Sequence, residues 1–372
     1  MRIVHLVGHR GLNGVATSVK MLVDAQLRAG HEVMVVHPRK SWIEKQSFAG
    51  PITLFETSYS LKPGELLRTG YAIRDWGRTL VHAHGSGGNK YLMAFRMAVG
   101  VPAVMTAHAR HYQIPWMFAH AVVGLSRQTM DYYISRRLVA ARRIFNVPNI
   151  FNIDDFSPVD PSSRTAARAE LGIRDEAFLI GAVGSIGARK RQADMARVLA
   201  RLVEAGVDAE LLLVGGSTSE PDAQRDLAEA MADPRLAGRV HMPGHRADAV
   251  RLIPALDLYL CASAVEEAPI APLEAMALAV PVVSTDVGNM ADLLPPSRIL
   301  PVGDIDGMTE TVIGLARNPA VRAEQGAFDR ATVATKLSAR AILPKIEEIY
   351  RFAIASARDR SRGRIDQALA SH

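Results

Sequence analysis

Residues 265–289 read VEEAPIAPLEAMALAVPVVSTDVGN. Glu266 and Glu274 stand eight positions apart, with Pro269 and Pro272 between them. An Ala/Leu/Met-rich run with helical character follows, then the strand-like PVVST (281–285), then a turn at Gly288. Just upstream lies LYLCAS (258–263), another short apolar stretch. Strand, loop, helix and strand in so short a span are the repeating unit of a parallel sheet. Parallel strands need a crossover, and strands that are apolar throughout are buried on both faces. Proline suits the first turn of a helix, where a missing N–H costs nothing. The helix is therefore expected to begin near Ala271 or Pro272, with Glu274 in its first turn and Glu266 in the loop before it.

The same unit recurs in both directions along the chain. Upstream, strand candidates lie at 2–8, 32–37, 79–84, 102–108, 121–126 and 142–147, with helical spacing between them, as in Ala16–Ala29 and Lys90–Val99. Residues 154–165, DDFSPVDPSSRT, hold three acids, two prolines and three serines and read as a linker. A second series then starts at 178–184 and continues at 209–216, 239–244, 258–263 and 281–285. Between its first two strands, Met195, Val198, Leu199, Leu202 and Val203 share one helical face. The fold class expected is α/β, with two tandem doubly wound parallel-sheet, Rossmann-like domains. Residues 1–155 form the first and 156–345 the second. Residues 346–372 form a C-terminal helix returning to the first domain, followed by a basic tail. Ligands of such sheets bind beyond the carboxyl ends of the strands, and two of them facing each other enclose a cleft suited to a small molecule.

Composition narrows the function classes. The 372 residues are 48% hydrophobic and 22% charged, ordinary values for a globular chain long enough for two cores. No apolar run approaches the roughly 18 residues of a membrane span, and MRIVHLVGHRG enters a strand pattern without the features of a signal peptide. The single cysteine, Cys261, rules out an intrachain disulfide and a thiolate zinc site. A cytoplasmic location is expected. The net charge of +6 is uneven: residues 1–155 hold 19 Lys/Arg against 9 Asp/Glu, the remainder 25 against 29. The first half should meet an anionic partner. YYISRRLVAARR (132–143) gathers Arg136, Arg137, Arg142 and Arg143 beside Tyr132 and Tyr133, a composition suited to the inner face of a membrane. No aromatic-basic interleaving points to nucleic acid.

The informative residues stand where strands end. Gly8, Gly11 and Gly14 follow the first strand as GxxGxxG, not as a dinucleotide fingerprint. Their loop lets backbone N–H groups approach a ligand, or is a plain tight turn. His84 and His108 close the third and fourth strand candidates, where imidazole can donate to a sugar hydroxyl or a phosphate oxygen. In GSIGARKRQADM (184–195), Arg189, Lys190 and Arg191 cluster before a helix, a combination that takes a diphosphate. Glu266 and Glu274 can each accept hydrogen bonds from hydroxyls, and the helix start between them offers unpaired N–H groups. Together these are the parts that hold a nucleotide sugar. Asp304-Ile-Asp306 in GDIDG (303–307) looks like a metal-binding DxD, but it precedes a helical pattern where aspartate is a common cap. No metal is expected, and no cofactor beyond the nucleotide sugar itself.

The run EEAPIAPLEAMALAVPVVSTDVGN resembles the E-x7-E hallmark, EGLPxxLLEAMAxGxPVVATDVGG, of the retaining GT-B glycosyltransferases of family 4, also called glycosyl transferases group 1. Matches fall at Glu266, Pro269, Leu273 to Ala277, Pro281 to Val283 and Thr285 to Gly288. GLNGVATSVKMLVDAQLRAGHEVMVV, VHAH, TAH, VPNIFNIDDFSP and IEEIYRFAI extend the resemblance over nearly the whole chain. The resemblance implies that Glu266 contacts the donor sugar and Glu274 the ribose, and that Lys190 meets the diphosphate. It likewise implies that the backbone at Ile270 and Ala271 approaches the phosphates, that Gly244 and His245 lie against the base, and that His108 is near the donor sugar. It implies metal-independent transfer from a nucleoside diphosphate sugar, a UDP-sugar, to a glycan or lipid-linked acceptor in polysaccharide or lipopolysaccharide synthesis. The chain departs from the pattern at Ser185, where the family has arginine, at Glu267 and Asn289, where it has glycine, and around Asn152. Arg189 or Arg191 would then substitute for the missing arginine. A nucleotide-sugar epimerase on the same architecture and a non-catalytic nucleotide-sugar sensor remain open alternatives.

Overall fold

A computed structural model describes residues 1–370 except Gln113, without the side chains of 97–99 and 359–370. The chain divides into two units, residues 1–152 with 337–372 and residues 153–336. In the first, β1 (Arg2–Val7), α1 (Gly14–Arg28), β2 (Glu32–His37), β3 (Thr53–Glu56), α2 (Pro63–Asp75), β4 (Leu80–His84), α3 (Gly85–Val99), β5 (Ala103–Ala107), β6 (Ala121–Gly124), α4 (Arg127–Ser135) and β7 (Ile144–Asn146) succeed one another. In the second follow α5 (Pro161–Leu171), β8 (Phe178–Val183), α6 (Gln192–Glu204), β9 (Ala209–Val214), α7 (Pro221–Met231), β10 (Val240–Gly244), β11 (Leu258–Cys261), α8 (Ile270–Ala277), β12 (Val282–Thr285), α9 (Met290–Leu293), β13 (Ile299–Leu300), α10 (Ile305–Arg317) and α11 (Pro319–Lys336). Helix α12 (Ala339–Ala370) begins within the second stretch of the first unit and packs on α1, β5 and β6.

Both sheets are parallel throughout. The first has the order β3-β2-β1-β4-β5-β6-β7 and the second β10-β9-β8-β11-β12-β13. In each, the winding direction reverses once, between β1 and β4 and between β8 and β11. The loops leaving those paired strands depart to opposite sides and leave a crevice at the strand ends. The apolar strands are buried because helices cover both faces. The second core packs Ile180, Leu211, Leu213, Leu258, Leu260 and Val283 against Met195, Val198, Leu199 and Leu202 of α6, the helical face expected from the sequence.

Three local expectations need correction. β3 and β13 were not foreseen, since β3 is an edge strand of four residues with alternating exposure and β13 has only two. The supposed linker at 154–165 is partly helix: Asp160 and Ser163 form a capping box and Pro161 is the first residue of α5. Helix α8 begins at Ile270 because Pro269 takes the extended N-cap conformation. Glu274 is thus one turn inside the helix, and no acid lies in the first turn.

The sheet of the second unit is tied by two buried ion pairs. Arg168 donates to Asp257 at 2.8 Å and to the carbonyls of Ala255, Arg174, Asp175 and Ala177, while Asp257 accepts from the Leu179 amide at 2.8 Å, joining α5 to β8. Arg298 forks onto Asp329 at 2.6 and 2.7 Å, and the same carboxylate accepts from the Val282 amide of β12. Burial raises the Asp329 pKa and Arg298 opposes the rise. Removing one partner of such a pair costs about 3–5 kcal/mol. Arg298→Met should lower the unfolding free energy by about that amount at pH 7, read as a lower urea midpoint. A shift below about 1 kcal/mol would show that the pair contributes little beyond its neighbours.

Candidate functional site

The crevice of the second unit lies between the loops that leave β8 and β11. These two strands pair through only Ile180–Leu258 and Gly181–Tyr259 before they separate. Beyond that point the Tyr259 hydroxyl replaces the ladder: it accepts from the Val183 amide and donates to the Val183 carbonyl, each at 3.1 Å. Burial raises the pKa of this phenol, and charge on Cys261, Glu274 and Glu266 adds to the rise, so both glutamates act on one buried atom. The two loops are clamped to each other by the Ala264 amide, which donates to the Arg189 carbonyl at 2.8 Å, and by the Arg189 guanidinium, which donates to the Val265 carbonyl at 3.1 Å.

Glu266 is the centre of the clamp. Its carboxylate meets Lys190 at 2.7 Å and Arg189 at 2.5 Å and accepts from the Ser263 hydroxyl at 3.1 Å. Its side chain is 10% exposed. Burial alone would raise its pKa, but Lys190 and Arg189 outweigh burial and hold it below the usual glutamate value. Lys190 folds over Gly184, whose φ of +150° and a Cβ only 3.2 Å from Lys190 Cε leave room for glycine alone. Gly288, at φ +57°, does the same under the Glu267 carbonyl. Glu274 has no such cations, and burial pushes its pKa up to about 7.

The other expected residues are distributed around this centre. Ile270 and Ala271 are the first two residues of α8, which no side chain caps. Pro272, the third, has no N–H to leave unpaired. Gly244 ends β10 at φ +78°, its carbonyl accepting from the Gly215 amide at 2.9 Å, and His245 next to it is exposed. Arg191 is not gathered with Lys190 and Arg189: it adopts a left-handed conformation, and its guanidinium is held by Asp194 at 2.5 Å. Ser185 is exposed and Glu267 is buried. Asn289 is 2% exposed, and no contact in the structure explains its buried amide. Asp304 caps α10 through the Gly307 amide at 2.9 Å and Asp306 pairs with Arg201, so the DxD look-alike is a helix start. A cavity of about 310 Å³ next to α6 is lined by Asp194, Asp222 and Asp226, carboxylates that disfavour a phosphate.

In the first unit Gly14 opens α1, capped by Asn13 through the Ala16 amide at 2.9 Å. The loop after β1 touches the start of α3 closely: a Cβ on Gly8 would lie 3.1 Å from Gly87, and one on Gly88 would lie 2.6 Å from the Leu6 carbonyl. His84 ends β4 and meets His108 at 3.2 Å. Both belong to a larger polar seam that the sequence reading missed. His5, Gln26, His82, Thr106 and Tyr350, all nearly or fully buried, continue it. The available signal was the spacing of two within LVHAH and its register, which sets His5 opposite His82. Burial lowers the His5 pKa to about 4 and the His108 pKa to about 3, and drives those of His82 and His84 well down. Ring nitrogens of His5, His82 and His84 lie within 4.8 Å of one another, which makes them the metal-compatible cluster among the described residues. The cavity beside His84 and His108 is about 20 Å³, roughly one water and too small for a sugar.

The basic segment also differs from expectation. Tyr133 does not face a membrane: it is fully buried against Trp116, and its hydroxyl donates to the Ala109 carbonyl at 2.6 Å. Tyr132 lies beneath the Arg136 guanidinium at 4.0 Å. The exposed apolar side chains are Tyr112, Ile114 and Met117, in a turn that Arg143 holds through the Met117 and Ala119 carbonyls. No helix among the described residues is long and apolar enough to cross a membrane.

Residues 12–155 match the family described as Glycosyltransferase Family 4, and residues 177–318 match Glycosyl transferases group 1. The chain is 27% identical over 202 residues to the GDP-mannose-dependent monoacylated alpha-(1-6)-phosphatidylinositol monomannoside mannosyltransferase of Corynebacterium glutamicum. That match covers 52% of each protein, so it spans about half the length of that relative. It is 27% identical over 275 residues to the 2-deoxystreptamine glucosyltransferase of Streptomyces kanamyceticus, covering 66% of this chain and 70% of that one. Among solved structures, Anabaena Alr3699/HepE in complex with UDP and glucose superposes with a TM-score of 0.80 at 18% identity, covering 94% of this chain and 98% of that one. The two parallel α/β sheets are those of the GT-B fold.

The raised pKa of Glu274 has a definite sign. Between the ordinary glutamate value and about 7 the folded state binds the proton that the unfolded state has lost, so stability falls as pH rises through that window. Glu274→Gln removes the titration. The variant should gain on the parent by about 3 kcal/mol between pH 4 and pH 8, measured as diverging urea midpoints. Parallel pH profiles would show that Glu274 titrates normally.

Proposed function

The chain belongs to glycosyltransferase family 4 with the GT-B fold, and from that membership we propose that it moves a sugar from a UDP-sugar to a hydroxyl of a glycan or lipid-linked acceptor. The anomeric configuration is retained and no metal ion is needed. The observation that carries this reading is the Glu266–Lys190–Arg189 cluster beside the uncapped start of α8, at the point where β8 and β11 diverge. Cations and free helix amides at such a point suit a diphosphate.

When the bond from the anomeric carbon to the diphosphate oxygen breaks, its electron pair leaves with the phosphate. Lys190, Arg189 and the amides of Ile270 and Ala271 face the growing negative charge, supplying what a divalent cation supplies elsewhere. Glu266 orients a hydroxyl of the transferring sugar and Glu274 accepts from the ribose diol. Gly244 and His245 border the base, and Gly14 and His108 serve from the first unit. Arg191, engaged by Asp194, tightens the loop that carries Lys190 and does not itself meet phosphate. The acceptor hydroxyl attacks from the face the diphosphate leaves, and its proton passes to the departing oxygen.

The acceptor reading rests on charge and exposure. Arg136, Arg137 and Arg142 are exposed, beside the apolar turn with Tyr112, Ile114 and Met117. Apolar side chains next to arginines suit an anionic lipid surface. The lipid-linked acceptor would be met there, at the cytoplasmic face of the membrane, in cell-surface polysaccharide or lipopolysaccharide synthesis. The Corynebacterium relative acts, by its name, on a phosphatidylinositol mannoside.

A thermal-shift screen of UDP-, GDP-, ADP- and TDP-sugars should give the largest shift with a UDP-sugar. With that donor, Lys190→Ala should lower kcat by about 10²–10³-fold. Glu266→Ala should abolish turnover while UDP affinity changes far less. Undiminished turnover in Glu266→Ala, or conversion of the donor to an isomeric nucleotide sugar without release of UDP, would contradict the assignment. The parent should co-sediment with phosphatidylglycerol vesicles at low salt, and the triple variant Tyr112→Ser, Ile114→Ser, Met117→Ser should bind at least about tenfold more weakly. Equal binding would remove the apolar turn from the membrane contact.

A further inference from the structure

We propose that Gln26 and Tyr350 are positioning residues that set the tautomer of His108, leaving its Nδ1 bare to accept a hydrogen bond from a hydroxyl of the transferring sugar. The second half of this statement rests on the reading that His108 meets the donor sugar; the first half stands on the first unit alone.

The seam is continuous. Gln26 of α1 presents its amide oxygen to His5 Nε2 at 2.8 Å and its amide nitrogen to the Tyr350 hydroxyl of α12 at 2.9 Å. His5 Nδ1 meets His84 Nε2 at 2.9 Å, and His84 Nδ1 meets His108 Nε2 at 3.2 Å. On the other side of Gln26, the Tyr350 hydroxyl meets His82 Nδ1 at 2.8 Å, and His82 Nε2 meets Thr106 Oγ1 at 2.7 Å. Parallel register brings these groups together: His5 stands opposite His82, and His84 opposite Thr106. His108 follows Thr106 by two residues and faces the same way.

The rings are neutral, since burial holds every one of them well below neutrality. A neutral imidazole has one N–H and one lone pair. Across an N···N contact one ring donates and the other accepts, so a choice at one end is imposed on each ring in turn. The Gln26 oxygen requires an N–H at His5 Nε2. His5 Nδ1 then accepts, which requires an N–H at His84 Nε2. His84 Nδ1 then accepts, which requires an N–H at His108 Nε2. His108 is left with a lone pair on Nδ1, for which the described residues hold no partner. The other branch has matching polarity: Tyr350 accepts from Gln26 and donates to His82 Nδ1, and His82 Nε2 donates to Thr106.

An amide turned over would reverse every bond in both branches, so the tautomer of His108 depends on what holds Gln26. That is the Tyr350 hydroxyl, on a helix far along the chain. A bare Nδ1 selects a hydroxyl, which can donate to it, over a phosphate oxygen, which cannot. His108 therefore belongs with the sugar half of the donor and not with the diphosphate. The same three rings that lie at metal-ligand spacing are, on this account, filled by shared protons.

The test is histidine tautomer assignment by long-range ¹H–¹⁵N correlation on the full-length, ¹⁵N-histidine-labelled protein, with His108 identified from a His108→Asn sample. The parent should show His108, His84 and His5 as neutral Nε2–H tautomers. Tyr350→Phe removes the oxygen that holds Gln26, and His108 should then populate both tautomers. With the UDP-sugar found in the screen, that variant should show a donor KM raised about threefold to tenfold with UDP affinity unchanged. An Nδ1–H tautomer of His108 in the parent would overturn the proposal, as would a His108 signal indifferent to Tyr350→Phe, or stoichiometric zinc in the purified parent by plasma mass spectrometry. If Tyr350→Phe fails to fold, the parent spectrum decides. If no nucleotide sugar binds, the proposed function fails while the tautomer result still stands.

Discussion

A carboxylate that is nearly out of water must be neutralised by neighbours or give up its charge. Glu266 meets that demand with Lys190 and Arg189, and the demand organises the carboxyl edge of the second sheet. The two cations come from the loop after β8 and the carboxylate from the loop after β11, so one ion cluster joins the two segments that the winding reversal drives apart. Gly184 and Gly288 are needed because that joining leaves no space for a Cβ. Tyr259 is needed because strands that separate leave Val183 without a ladder partner. Glu274, a turn into α8 and without a cation, shows the other outcome: its charge is resisted, and its proton comes off only near neutrality.

The first unit has the same reversal between β1 and β4 but a different chemistry. Its strand ends gather neutral imidazoles, an amide and a phenol instead of ions. Such groups are satisfied by direction, not by charge. The second sheet thus presents fixed charge, suited to phosphate, and the first presents oriented donors and acceptors, suited to hydroxyls.

Much of this was legible in the sequence. Apolar strands alternating with helical spacing gave both sheets, because burial on two faces leaves a continuous signal that short polar edges do not; β3 and β13 lack that signal. Glu266 and Lys190 were legible as types at strand ends, though not that they pair with each other. Arg191 looked the equal of its neighbours, and only its left-handed backbone and Asp194 separate it from them. Tyr133 next to arginines read as interfacial, whereas helix phase turns it onto Trp116. The imidazole seam was the least legible feature. Gln26 and Tyr350 are 324 positions apart, and nothing local in either segment announces the other.

That long separation has a consequence for how the chain is made. The first unit is discontinuous: its sheet is synthesised early, but α12, which carries Tyr350 and covers β5 and β6, comes after the whole second unit. On a ribosome the early sheet must wait, with its imidazoles wet and one flank bare, while residues 153–336 already have everything they need to collapse. The later-born half should mature before the earlier-born one. A premature stop ahead of α12 would then release a chain with a finished second half and an aggregation-prone first half, a natural substrate for chaperones.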